Sequence, residues 1–275
     1  MDKYKALWLS HSKIADFLSC PRLFYLRHIY KNPKTGHKFT LMTPSLALGQ
    51  AVHTVVESLS TIPTEERLNA PLLEKFDLAW EEVKGKKGGF KSKVEEAQYK
   101  ERGRAMLSKI LKNPGPIKNK ALKIKPADGD LAYYWFSEDD GIILSGKIDW
   151  IEYLPKTDSV HIIDFKTGKN EEDSESLQLP IYYLLAKNLQ KRKVSKLSYW
   201  YLDRGNSPVE MKLPSEDEAI EKVNKIAQRI NLARKIERFK CETGGCWACR
   251  DMEQVFEGKG EKVGETRYHQ DIYVL

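Results

Sequence analysis

Apolar positions recur at helical spacing through residues 1–120 and then give way to runs of β-branched and aromatic residues. Ile14, Phe17 and Leu18 mark one face of a helix over Ser10–Tyr30, with Ser10 or Ser12 as its cap. Pro21, directly after Cys20, ends or restarts that helix, and Leu23, Phe24 and Leu26 carry the apolar pattern onward. Asn32–Thr40 reads as a polar loop. Leu48, Val52, Val55 and Leu59 form the stripe of a second helix over Pro44–Leu59, where His53 lies beside the stripe one turn after Gly49. Leu72, Leu73, Phe76 and Trp80 predict a core helix over Pro71–Val83. Lys84–Lys93 (K-G-K-K-G-G-F-K-S-K) reads as the most mobile stretch, with lysines suited to solvent or to a phosphate backbone. Val94–Leu111 is a charged helix, stopped by Asn113-Pro114-Gly115-Pro116.

Beyond that stop the pattern predicts strands over Ala132–Phe136, Gly141–Leu154 and Val160–Lys166. A helix from Ser174 to Gln190, interrupted early by Pro180, leads to strands over Lys196–Leu202 and Val209–Leu213. Ser215 and Glu218 form a capping box for a long helix with Val223, Ile226, Ile230 and Ala233 inward. The tail carries no motif and no internal repeat is visible. The order predicts an α/β or α+β domain around a small mixed sheet, with an N-terminal helical elaboration. The chain reads as one unit over residues 1–275, with a helical segment at 1–120, a core at 121–240, and a cysteine cluster with tail at 241–275.

Two of those apolar strands each carry a carboxylate, Asp149 and Asp164. Lys166, two residues beyond Asp164, shares its strand face. A hairpin turning at Pro155–Asp158 brings Asp149 and Asp164 side by side, and paired carboxylates at a buried sheet end call for a divalent cation. Taken alone, the D-x-K tripeptide fits a plain ion pair better; Asp149 in the preceding strand and the further motifs below reverse that balance.

Composition adds bounds. A chain of 275 residues with 41% hydrophobic and 31% charged residues buries a real core and reads as a soluble globular protein. The apolar runs fall short of a membrane span and Met1–Ser10 lacks a signal-peptide core, so a cytoplasmic protein without a membrane partner is expected. A net charge of +7 and a pI near 9.0 suit a polyanionic partner or simply a lysine-rich surface. The four cysteines do not suggest a disulfide scaffold. Cys241, Cys246 and Cys249 stand as C-x4-C-x2-C, a metal-ligand spacing for which Cys20 supplies a fourth thiolate.

The set G-K-I-D (Gly146–Asp149), I-I-D-F-K-T-G (Ile162–Gly168) and Q-L-P-I-Y (Gln178–Tyr182) resembles the PD-(D/E)xK nuclease superfamily in its RecB-like branch. G-Q-A-V-H (Gly49–His53) resembles that branch's helical histidine motif. S-C-P-R-L-F-Y (Ser19–Tyr25) with a distal cysteine cluster is similar to its iron–sulfur members, among them AddAB-type nuclease domains and CRISPR-associated RecB-like exonucleases. The resemblance runs from about Ser10 to Cys249 and implies a restriction-endonuclease-like core. It implies that His53, Asp149, Asp164 and the Phe165 carbonyl hold Mg²⁺ or Mn²⁺, that Lys166 serves the scissile phosphate, and that Gln178 and Tyr182 brace the site. It also implies DNA, single-stranded or end-bearing, as substrate and DNA-processing or CRISPR adaptation proteins as partners. The activity implied is exonucleolytic; an endonuclease, or a DNA-binding subunit active only in a complex, shares the motifs. Many iron–sulfur members place a third cysteine after the C-x2-C pair, whereas here Cys241 precedes Cys246 and Cys249. The resemblance favours [4Fe-4S], and the spacing leaves zinc open.

Overall fold

The hairpin expected in the middle of the chain forms the spine of the main sheet. In the computed structural model, which describes residues 2–124 and 131–275, β6 (Trp150–Leu154) and β7 (Ser159–Lys166) pair antiparallel, Trp150 opposite Ile163 and Leu154 opposite Ser159. Asp158 turns the corner at φ 44°, in the left-handed region where Asp is among the better tolerated residues. β8 (Lys193–Tyr201) runs parallel to β7 and is reached through α6 (Gln178–Leu189), the crossover that a parallel pair requires. With β3 (Ala121–Leu122) and β9 (Val209–Met211) the order is β3-β6-β7-β8-β9.

Alternation along β7 feeds two helical layers. Val160 and Ile162 join a cluster with α6 and with Val223, Ile226 and Ile230 of α7 (Glu216–Lys235). Ile163 and Phe165 join the opposite cluster, with α3 (Pro44–Ser58), α4 (Leu72–Glu81) and α5 (Lys93–Lys112). The expected α/β arrangement, a small mixed sheet between helices, is therefore what forms. Buried His161 on β7 lies 2.9 Å from Glu152 Oε2 and 2.8 Å from Ser198 Oγ, so this polar trio is satisfied inside the sheet rather than left costly.

Several sequence expectations need correction. Gly141–Leu154 is not one strand. β5 (Ile142–Gly146) belongs to a separate sheet of order β1-β5-β4, with β1 (Leu7–Leu9) and β4 (Ala132–Ser137). Only β6 enters the main sheet. At the break, a Cβ on Gly146 would lie 2.8 Å from Leu185 Cδ1, so any other residue there would push the buried Leu185 side chain aside. The loop over Asn32–Thr40 hides β2 (Lys38–Leu41), and the featureless tail holds α8 (Arg250–Phe256), β10 (Glu261–Glu265) and β11 (Gln270–Val274). β2 pairs parallel with β11, Lys38 opposite Gln270 and Leu41 opposite Tyr273.

The first helix divides at Pro21 into α1 (His11–Ser19), capped by Ser10, and α2 (Pro21–Phe24), which runs into a π-turn over Tyr25–Ile29. The expected Ser174 start moves to Gln178, leaving Pro180 in the first turn of α6 where its missing N–H costs nothing. The supposedly mobile Lys84–Lys93 is a fixed turn: Phe90 is buried against Trp80 at 5.5 Å, and the Gly85 amide donates to Glu96 Oε2 at 3.2 Å. Gly89 there has φ 74°, and a Cβ on it would reach within 2.8 Å of the Met42 carbonyl. Among the described residues no helix is long and apolar enough to cross a membrane.

Gly103 in the interior of α5 reverses a common rule. Gly→Ala inside a helix usually stabilises by about 1 kcal/mol. Here the new methyl would lie 2.3 Å from Cζ and 2.8 Å from Cε2 of the fully buried Phe76. Gly103→Ala is expected to lower stability by about 1–3 kcal/mol. Urea unfolding checks this; a raised midpoint would show that the Phe76 ring yields.

Candidate active site

Register along the hairpin decides what meets at its open end. Trp150 pairs with Ile163, so Asp149, one residue earlier, falls beside Asp164, one residue later. Asp149 is not inside a strand, as expected, but in the short break before β6. Freed from a ladder, its Oδ2 accepts the Phe165 N–H at 2.9 Å. Its Oδ1 lies 3.5 Å from Nδ1 of His53 on α3. The helix passes close to the end of β7 at Gly49, where a Cβ would sit 3.3 Å from Thr167 Oγ1. Phe165, expected to ligate through its carbonyl, is fixed by that N–H bond and by burial of its ring near Trp150 and Trp200.

Glu57, one turn beyond His53, is the residue that sequence reasoning missed. Its Oε1 lies 3.7 Å from His53 Nδ1, and its other oxygen pairs with Lys147. His53, Glu57 and Asp149 each place one ligand atom within 4.8 Å of the others. The i, i+4 spacing after His53 was the available signal. Asp164 stands outside that trio and faces Lys166 and Gln178. A cavity of about 200 Å³, lined by Glu57, Gly146, Lys147, Asp149 and Trp150 among others, opens beside the trio.

Asp164 is 2% exposed. Gln178 Nε2 donates to its Oδ1 at 2.6 Å, and Lys166 Nζ lies 3.1 Å from its Oδ2. That Oδ2 nevertheless receives no aligned hydrogen bond. Gln178 also accepts from Lys166 through Oε1 and donates to Tyr182 Oη at 3.3 Å. Glu172, from the acidic loop after Gly168, holds Lys166 at 2.7 Å. His11, at the start of α1, lies 3.3 Å from Ser176 Oγ; burial and the Lys166 charge push it down to about 4, so its ring is neutral.

Burial and the neighbouring Asp149 charge push Asp164 up to about 8 against the pull of Lys166 and His53. For His53, burial opposes protonation, but Asp149 and Glu57 outweigh it and raise the ring to about 10. Tyr182 is raised by burial and by the same two aspartates. Two carboxylates, an imidazole and an unsatisfied carboxylate oxygen converging beside a lysine suit a hard divalent cation: the oxygens satisfy Mg²⁺ and the imidazole also suits Mn²⁺.

The four cysteines converge as well. Each places its sulfur within 4.8 Å of the others, and Cys246 Sγ lies 3.7 Å from Cys249 Sγ. Cys20 sits in extended backbone between α1 and α2, and Cys249 caps α8. An Arg22–Glu253 ion pair at 2.6 Å joins the same two segments. The Thr243 hydroxyl and nearby backbone donors pull Cys241 down to about 5, whereas burial pushes Cys249 up to about 12 and Cys20 upward. The site thus offers both a ready thiolate and thiols that a metal must deprotonate.

A model of the PD-(D/E)XK nuclease superfamily matches residues 8–251 of the chain. No curated protein matches it.

The carboxylate cluster has a pH signature. Asp164 ionises near 3.8 when exposed and near 8 when folded, so across that window the folded state holds the extra proton and stability falls as pH rises. His53 acts in the same direction: its stabilisation is complete below 6.5 and is lost as pH climbs through about 10. Metal-free protein is therefore expected to unfold at lower urea at about pH 9 than at about pH 6, with a shallower dependence in Asp164→Asn. An identical slope in that variant would overturn the assignment.

Proposed function

The chain belongs to the PD-(D/E)XK nuclease superfamily, and we propose from this that it hydrolyses phosphodiester bonds in DNA with a divalent cation, acting as an exonuclease. The observation that carries the reading is the convergence at one hairpin end of Asp149, Asp164 and Lys166, with His53 reaching in from α3. A bound Mg²⁺ or Mn²⁺ would supply a more acidic water and neutralise charge on the scissile phosphate. Asp149, Asp164 and His53 are proposed to hold it, with the Phe165 carbonyl and with Glu57 as an added oxygen donor.

Lys166 does the complementary work. Its ammonium, gripped by Asp164, Glu172 and Gln178, is prepositioned for the negative charge that grows as phosphorus becomes pentacoordinate. Substrate phosphate replaces the Glu172 carboxylate at that ammonium. Gln178 donates to Asp164 and accepts from Lys166, which fixes the two groups relative to one another. Tyr182 supports Gln178 from the next turn of α6. The RecB-like resemblance supports the exonuclease reading and a place in DNA processing, repair or CRISPR adaptation.

The cysteine site is proposed as a structural metal centre, since phosphodiester hydrolysis moves no electrons. The resemblance supports [4Fe-4S]. The sulfur spacing supports zinc, because a tetrahedral ion with Zn–S of about 2.3 Å sets its sulfurs about 3.8 Å apart, close to the 3.7 Å between Cys246 and Cys249.

Purified protein with Mn²⁺ or Mg²⁺ is expected to release end label from linear DNA while leaving circular DNA intact; nicking of circles would establish an endonuclease instead. Asp149→Ala, Asp164→Ala and Lys166→Ala should each lower the rate by roughly 10²–10³-fold or more while keeping the fold. Wild-type turnover in any of them would sink the proposed site.

The metal is read separately. Anaerobically purified protein that is brown and absorbs near ~400 nm contains the iron–sulfur cluster; colourless protein with one zinc contains the mononuclear centre. Protein that binds neither would overturn the cysteine assignment.

A further inference from the structure

Away from both sites, three side chains from distant stretches of the chain meet at the β10–β11 hairpin. His37 ends the Asn32–His37 turn just before β2, while Glu265 and His269 flank the hairpin tip. The parallel β2–β11 pairing, Lys38 opposite Gln270, brings them together. His269 Nδ1 lies 2.8 Å from Glu265 Oε1, and His37 Nδ1 lies 3.9 Å from Glu265 Oε2, so one oxygen of the carboxylate is bonded to an imidazole and the other faces a second ring. The ligand atoms of the three residues lie within 4.8 Å of one another.

Two further features point the same way. Asp271, 1% exposed, lies 3.1 Å from His37 Nδ1. Its charge is already partnered by Lys262 at 2.6 Å, so it serves as a fixed acceptor that orients the ring. Carboxylates in that position are the common outer partners of metal-binding histidines. His269 itself has φ 56°, a left-handed conformation that glycine or asparagine adopts at lower cost. The imidazole at this position is in contact with Glu265 rather than idle in solvent.

We propose that His37, Glu265 and His269 form a binding site for a borderline divalent cation of the zinc or nickel class. Two imidazoles and one carboxylate are a donor set such ions prefer and Mg²⁺ does not. The three exposed or half-exposed ligands leave the outer coordination positions to water. Bound there, the ion staples the Asn32–His37 turn to the C-terminal hairpin. The role is structural, and it is independent of the nuclease reading.

Zn²⁺ titration of the whole protein by calorimetry tests this, with the cysteine centre filled and Mg²⁺ saturating. Wild-type protein is expected to take up one further equivalent of Zn²⁺. His37→Gln, which can still hydrogen-bond to Asp271, and His269→Asn, which keeps the left-handed backbone, should each weaken that uptake by roughly tenfold or more. Their cysteine-bound metal, DNA cleavage and metal-free melting should match wild type. Zn²⁺ should also raise the wild-type melting temperature and shift the ring-proton NMR signals of both histidines. Absence of the extra equivalent, or its persistence unchanged in both variants, would overturn the site. A variant that fails to fold is replaced by Glu265→Gln, for which the same loss is expected.

Discussion

Asp164 is buried beside a second carboxylate, and much of the surrounding structure answers the cost of that placement. An isolated interior carboxylate either takes up a proton or must be given partners. Here the partners arrive from separate elements: Lys166 along the same strand face, Gln178 from α6, and His53 from α3, which pairs with the neighbouring Asp149. Each depends on its element being close enough. Glycines stand at two of the close packings nearby: Gly49 against Thr167 and Gly146 against Leu185. The same crowding of charge is what the proposed cation would relieve, so affinity for the ion and the cost of the metal-free arrangement would have one origin.

What the sequence made legible was whatever carried several repeats of its own period. α3, α4 and α7 each show an apolar stripe, and β6–β7 show a hairpin whose register could be counted from its turn. That register was enough to pair Asp149 with Asp164. The break between β5 and β6 was not legible, because I-I-L-S-G-K-I-D-W has apolar residues on both sides of a short polar stretch and only tertiary packing assigns its halves to different sheets. Glu57 was hidden for a related reason. A glutamate on an amphipathic helix looks like solvent surface until one knows from which side Asp149 approaches. The Lys84–Lys93 turn misled through composition: its glycines and lysines suggest solvent, while one aromatic residue, Phe90, anchors it. The short strands β1 and β2 depend on partners far along the chain and carry too few alternations to announce themselves.

The cysteine cluster, the Arg22–Glu253 pair and the β2–β11 ladder all tie the N-terminal segment to the C-terminal one. They enclose a small core of their own, in which Leu23, Leu26, Phe39 and Leu41 pack with Met252 and Val255. This third core is small, and the metal proposed at the cysteines would reinforce it by binding only the folded arrangement.

The β2–β11 ladder also dictates an order of events during translation. β2 leaves the ribosome long before its partner, since residues 38–41 pair with residues 270–273. At a synthesis rate of about 5–20 residues per second the delay is on the order of 10–50 s. Through that interval Phe39 and Leu41 have no strand to cover them, and for most of it Cys20 lacks its three sulfur neighbours. The central hairpin and the helices packed on it can form first, but the four cysteines cannot come together until Cys241, Cys246 and Cys249 have emerged. The metal proposed there would therefore enter only once Cys249 has emerged, and a nascent chain stalled before Cys241 leaves its third core open to chaperones and proteases.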